Sequence, residues 1–167
     1  MAKKRTKSTI GGPFVIAAVI CERVLVEKDE ANTLVRVVDR VTLPPTAVPP
    51  LSQGQEGKAP EPFSTDLILF ILLKSGDAKG EYAMRVDTLL PSGREITGNE
   101  FKVNFLGGIQ GVHARSPLPV YLHESGLHWY SVHLNGKVIT RVPLDLVYAP
   151  PKSESEQPSG DASEEKS

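Results

Sequence analysis

HWYSVHLNGKVITRVPLDLVY, residues 128–148, is the stretch whose reading decides the fold. Asn135-Gly136 at its centre is a strong short hairpin signal. A two-residue type I′ turn needs positive φ at both central positions, and Asn and Gly tolerate that at little cost. After the turn, Val138, Val142, Leu144 and Leu146 alternate with Lys137, Arg141 and Asp145. Before it, Trp129, Ser131 and His133 share one face, and His128, Tyr130 and Val132 share the other. The period is two, which describes strands with one dry and one wet face.

The same period extends outward from the hairpin. Tyr82, Met84, Val86 and Leu90 alternate with Glu81, Arg85 and Asp87, and Phe101, Val103 and Phe105 alternate with Glu100, Lys102 and Asn104. Phe14 to Cys21 and Leu67 to Leu73 are apolar on both faces, as suits strands covered on both sides. Glu27 to Asn32, Gly76 to Gly80 and Pro91-Ser92-Gly93 read as turns between strands. Leu34 to Leu43 carries Arg36, Asp39 and Arg40, a charged face suited to an edge. Pro119 and Pro143 cannot donate to a ladder and also mark edges. No helix cap is followed by a sustained helical stripe. The expected fold is all-β: an antiparallel two-sheet sandwich, immunoglobulin-like or Greek-key, with eight or nine strands.

The chain of 167 residues is expected to hold one domain at 13–149, within the usual domain size. Residues 1–12 read as a flexible basic arm, with Lys3, Lys4, Arg5 and Lys7 and no acid. Residues 150–167 read as a disordered acidic tail, too poor in apolar side chains to offset ordering entropy. Residues 44–62, rich in Pro and Gly, form a long loop without regular structure. A basic start followed by PFVIAAVIC imitates a secretory signal. The apolar run is short, however, bulky Val19 and Ile20 precede Cys21, and the pattern continues through Val24, Leu25 and Val26 as in a strand. The expected compartment is therefore the cytoplasm. No stretch reaches the length of a membrane span.

Net charge is −1, so bulk charge gives no case for nucleic acid. One cysteine leaves no internal disulfide and no cysteine cage for zinc. The histidines are His113, His123, His128 and His133. His128 and His133, five apart on a strand, face opposite ways and cannot chelate together. Cys21 and Glu22 are adjacent and point apart, and Cys21 reads as a small buried hydrophobe. Asp39 and Glu22 have nothing in sequence to bring them into one cleft. Gly107-Gly108 with Gly111 has no helix behind it to hold a phosphate, so it reads as a bend or bulge. No catalytic, cofactor-binding or metal-binding residue is assigned, and no cofactor is expected.

Two stretches carry a family resemblance. FVIAAVICERVLVEKDEANTLVRVVDRVTL (14–43) has an apolar strand ending in Cys21 and Glu22, a short acidic turn, and a second strand with Val37-Val38-Asp39. SGLHWYSVHLNGKVITRVPLDLVY (125–148) has Gly126, an aromatic pair, Asn135-Gly136 and Pro143-Leu144. Together they resemble the opening and closing segments of a family of small uncharacterised bacterial β-sandwich proteins, a domain of unknown function. The closing hairpin is also similar to the last two strands of immunoglobulin-like sandwiches, with a tyrosine corner at Tyr130. The resemblance implies a bacterial β-sandwich and carries no activity.

The functional expectation is a non-catalytic protein-interaction or structural module. It would bind protein, self or other, through a sheet edge or face, and neither nucleic acid nor membrane. One alternative is an enzyme or small-ligand carrier with a pocket built by loops, involving His113, His123 or the 44–62 loop. Another is nucleic-acid contact through the basic arm.

Overall fold

The computed structural model describes residues 10–43, 67–121 and 124–149. The 44–62 loop, the acidic tail, His123 and the charged part of the basic arm lie outside the described residues. Eight strands are found among the described residues: β1 (Phe14–Val26), β2 (Asn32–Val37), β3 (Arg40–Leu43), β4 (Ile68–Leu89), β5 (Glu95–Ile96), β6 (Glu100–Pro117), β7 (Gly126–Leu134) and β8 (Lys137–Tyr148). They form one hydrogen-bonded set in the order β2-β1-β4-β7-β8-β3, with β5 and β6 also pairing with β4. The chain is all-β, as the alternation implies.

The 22-residue strand β4 organises the molecule. β6 runs antiparallel to it from Arg85↔Glu100 to Ile68↔Pro117. On its other side, β1 pairs with the first part, Cys21↔Ile68 to Phe14↔Lys74, and β7 pairs with the last part, Met84↔Leu134 to Leu89↔Trp129. Gly76 to Gly80, expected as a turn between strands, is instead a bend inside β4. Register shifts against β6 fall between Lys74, Gly76 and Lys79. Gly76 (φ 55) pairs with Gly108 (φ 64), and Gly80 (φ 90) and Gly107 (φ 86) lie on either strand within the same bend. Positive φ serves a bulge as well as a reversal, and here both strands kink together and keep running. The expected bulge at Gly107-Gly108 is present.

The sheet is mixed, not wholly antiparallel, because β3 runs parallel to β8 from Arg40↔Asp145 to Leu43↔Tyr148. The stretch Leu34 to Leu43, expected as one strand, is divided at Val38-Asp39, and the positive φ of Arg36 (50) marks an irregularity near the end of its first part. Its first part pairs with β1 as β2. Val38 N–H then donates to the Ile20 carbonyl, Asp145 N–H donates to the Asp39 carbonyl, and β3 follows on β8. One run of chain thus occupies both ends of the strand order, which agrees with its charged, edge-like composition. β8 therefore lies between β7 and β3. Pro143 opposes Trp129 just before the part of β8 that β3 covers. The missing N–H falls where no β3 residue is paired, which is why proline is tolerated there.

The core takes one face of each long strand: Ile20 from β1; Leu69, Ile71, Leu73, Met84 and Val86 from β4; Val103, Phe105 and Ala114 from β6; Tyr130, Val132 and Leu134 from β7; Val142, Leu144 and Leu146 from β8. Val138, expected on the dry face, is exposed. Ile139 is an extra residue on β8 between the pairs Val132↔Thr140 and His133↔Val138, so the parity flips near the turn and Ile139 meets the core instead. Asn135 (φ 46) and Gly136 (φ 76) make the expected turn, and Asn135 Oδ1 also accepts from Ala83 N–H at 2.8 Å, tying the hairpin to β4.

Candidate functional site

Three places outside the core gather polar or unpaired groups. The first is on the wet face of β4 and β7, where Arg85 lies opposite His133 and Asp87 opposite Ser131. Arg85 donates to both Asp87 oxygens, at 2.8 and 2.9 Å, and Gly98 N–H donates to Oδ1 at 3.0 Å. His133 Nε2 lies 3.0 Å from Oδ2. Burial alone would push the Asp87 carboxyl up. The bonds from Arg85 and Gly98 and the charges of His133 and Arg85 outweigh it, and the group is held below its ordinary value. An Asp–His pair is half of a general-base arrangement. In this pair, however, Nε2 is taken by the carboxylate and Nδ1 is buried without a partner among the described residues. Neither nitrogen faces a position that a substrate could occupy, so the cluster ties β4 to β7 and to the turn before β6.

The second place lies on the outer side of β4 and β6. Asn32 of β2 is separated from β6 by β1 and β4 in the strand order, yet its amide reaches both His113 and Arg115. The β1–β2 hairpin must therefore fold across this face. That accounts for the burial of Cys21 and Phe70, which sit outside the main core cluster, and for a run Leu67–Leu73 that is apolar on both faces. Arg115 can only donate, so Asn32 Oδ1 accepts from it at 2.7 Å. The amide nitrogen then donates to His113 Nδ1 at 2.6 Å, which makes Nδ1 the unprotonated ring nitrogen. Burial pushes the Cys21 thiol up, against a smaller opposing effect of a backbone hydrogen bond from Arg23. A thiol raised in this way is a poor nucleophile.

The third place is the free side of β6. Strand β6 pairs with β4 alone among the described residues. Leu106 is 65% exposed and Ile109 is 89% exposed at its bend. The backbone there is held firmly: Lys74 Nζ donates to the Ile109 carbonyl at 2.9 Å and Ser75 Oγ to the Gln110 carbonyl at 3.0 Å. From sequence, Gly107-Gly108 with Gly111 reads as a bend or bulge, and this edge is missed. The signal available was Leu106 and Ile109 flanking two glycines with no polar residue between them.

The remaining residues singled out from sequence are scattered. His128 is buried on the core side, where Nδ1 donates to the Gly126 carbonyl at 3.1 Å, and Nε2 has no partner among the described residues. His128 and His133 do face opposite ways. Glu22 pairs with Arg36 at 3.0 Å, and Asp39 takes part through its backbone carbonyl. Trp129 shares its face with His133, while Tyr130 is fully buried and its hydroxyl donates to the Pro119 carbonyl at 2.9 Å. The bond reaches back eleven residues from the middle of β7, farther than the few residues of a tyrosine corner. Among the described residues, no group of three or more His, Cys, Asp or Glu is gathered for a metal, and no helix is long and apolar enough to cross a membrane.

No family model matches the chain, and no curated protein does. Among solved structures, an immunoglobulin-like protein from Pseudomonas aeruginosa is similar over 84% of this chain and 99% of its own, with 9% identity and a TM-score of 0.39. An alkylpurine DNA glycosylase from Pseudomonas fluorescens, solved bound to DNA containing an abasic site analogue, is similar over 78% of this chain and 30% of its own, with 13% identity and a TM-score of 0.37. Likeness of this degree carries no argument about fold family or function.

Proposed function

We propose that the chain is a non-catalytic protein-interaction or structural module of the bacterial cytoplasm, built as a two-layered, immunoglobulin-like β-sandwich. One feature supports the layered reading. Ile20 of β1 shares one buried cluster with Leu144 and Leu146 of β8, although these strands are not neighbours in the sheet order. The closing β7–β8 hairpin with its Asn135-Gly136 turn supports the immunoglobulin-like one. One observation carries the functional reading: β6 offers an 18-residue strand edge with no partner strand among the described residues, and exposed Leu106 and Ile109 stand on it. An open edge presents unpaired N–H and C=O groups to a further strand, and apolar side chains beside it add contact area. The test places a photo-crosslinking amino acid at position 109 of the full chain, with position 137 at the hairpin tip as control. The reading expects protein adducts of defined mass from 109 and none from 137. Absence of protein adducts at 109 overturns it.

A further inference from the structure

The partner best matched to the β6 edge is a second copy of the same edge, an inference that rests on the interaction reading above. Inward-facing residues of β6 are Phe101, Val103 and Phe105 before the bend and Val112 and Ala114 after it. The parity changes from odd to even across Gly107 and Gly108. Any strand added to this edge must set inward residues against inward residues. A regular strand cannot do this along the whole of β6 without its own parity change. An antiparallel copy of β6 has that change in the matching place.

We propose that two chains pair antiparallel through β6 about a two-fold axis between Gly107 and Gly108. In this register Phe101 meets Ala114 and Val103 meets Val112 on the inner face. Leu106 meets Ile109 at the centre, twice, which covers two of the most exposed apolar side chains of the molecule. On the outer face Glu100 meets Arg115, again twice. Arg115 spends one guanidinium nitrogen on Asn32 and keeps further N–H groups for a carboxylate. The neighbouring registers that also preserve parity are worse. A two-residue slip one way sets Lys102 against Arg115. A slip the other way leaves Arg115 beyond the end of the partner strand. The result is a closed, isologous pair, which leaves no β6 edge open for further growth.

The test uses the full chain in sedimentation velocity from about 1 μM to 1 mM. Wild type is expected to form a dimer. Glu100→Arg and Arg115→Glu each place like charges opposite one another at two symmetric positions, and each is expected to raise the dimer Kd about tenfold or more. Glu100→Arg/Arg115→Glu together restore attraction and are expected to return Kd to within about threefold of wild type. Circular dichroism checks that each variant is folded. Independently, Leu106→Cys chains mixed with Ile109→Cys chains under oxidising conditions are expected to cross-link to each other faster than either does to itself. A wild-type chain that stays monomeric at 1 mM overturns the proposal, as does a dimer indifferent to the charge exchange. If position 109 still gives adducts with a different protein, the pairing with self fails and the interaction reading stands. If position 109 gives none, both fail.

Discussion

Replacing Tyr130 with phenylalanine isolates one hydrogen bond. The ring stays, so its burial in the core is retained, and only the hydroxyl that donates at 2.9 Å to the Pro119 carbonyl is lost. A typical internal hydrogen bond contributes about 1 kcal/mol, and stranding a buried acceptor raises the loss to about 1–3 kcal/mol. Pro119 is half-buried, so its carbonyl regains some water and the loss is about 1–2 kcal/mol. For a body of this size that corresponds to a Tm lowered by roughly 4–12 °C, or a urea midpoint lowered by about 1 M. The assay is urea and thermal unfolding followed by circular dichroism, with amide exchange read across Leu118–Tyr121, the segment that the bond ties to β7. Burial, with the Tyr121 charge adding to it, pushes the Tyr130 phenol well above its ordinary value. The native state therefore favours the neutral phenol. Its contribution is complete below about pH 10 and is lost as the pH rises beyond that. Tyr130→Phe removes this alkaline component, so the wild-type and variant stability curves converge at high pH. A folded variant with an unchanged midpoint and unchanged exchange at Leu118–Tyr121 refutes the reasoning.

Asp87→Asn removes a carboxylate held below its ordinary value, so its destabilisation is expected to be full above about pH 4 and to shrink as the pH falls toward the folded-state value. A gap between wild type and variant that is constant from pH 7 to pH 3 in urea unfolding contradicts this. Gly98→Ala drives a Cβ into the Val86 carbonyl oxygen and disturbs the N–H that holds Asp87. It is expected to lower stability by about 1–3 kcal/mol, and a change below about 0.5 kcal/mol counts against that geometry. The Cys21 thiol is fully buried and raised by that burial. It is expected to react with a disulfide reagent only as fast as the β1–β2 hairpin opens, and at the rate of a free thiol in denaturant. Free-thiol reactivity in the native protein would show that the hairpin does not cover it.

Much of the fold is legible in the chain itself because strands write their faces locally. Asn135-Gly136 predicts its turn because few other dipeptides take positive φ twice. Trp129, Ser131 and His133 fall on one face because side chains alternate whatever the neighbours are. The errors share a cause. Gly76 to Gly80 reads as a reversal from sequence, since a glycine that permits positive φ does not state whether the chain turns back or kinks and continues. Only the facing pair Gly107-Gly108 settles that, by letting both strands bend together. The parallel β3–β8 pair was equally hidden, because alternation carries no strand direction.

The candidate sites divide the same way. Residues 128–148 by themselves determined that the body is made of extended chain with one face dry, and they determined that Val142, Leu144 and Leu146 share that face, while the bulge that moves Val138 out and Ile139 in came only with the pairing. Tertiary structure alone decided that Asn32 crosses two strands to meet His113 and Arg115, that His133 turns its ring to Asp87, and that one side of β6 is paired with β4 alone among the described residues. The physical reason is range. Side-chain parity is set by the backbone within two residues, whereas strand order and edges are set by which distant hydrophobic faces bury one another, and that balance is struck only when the whole chain has folded.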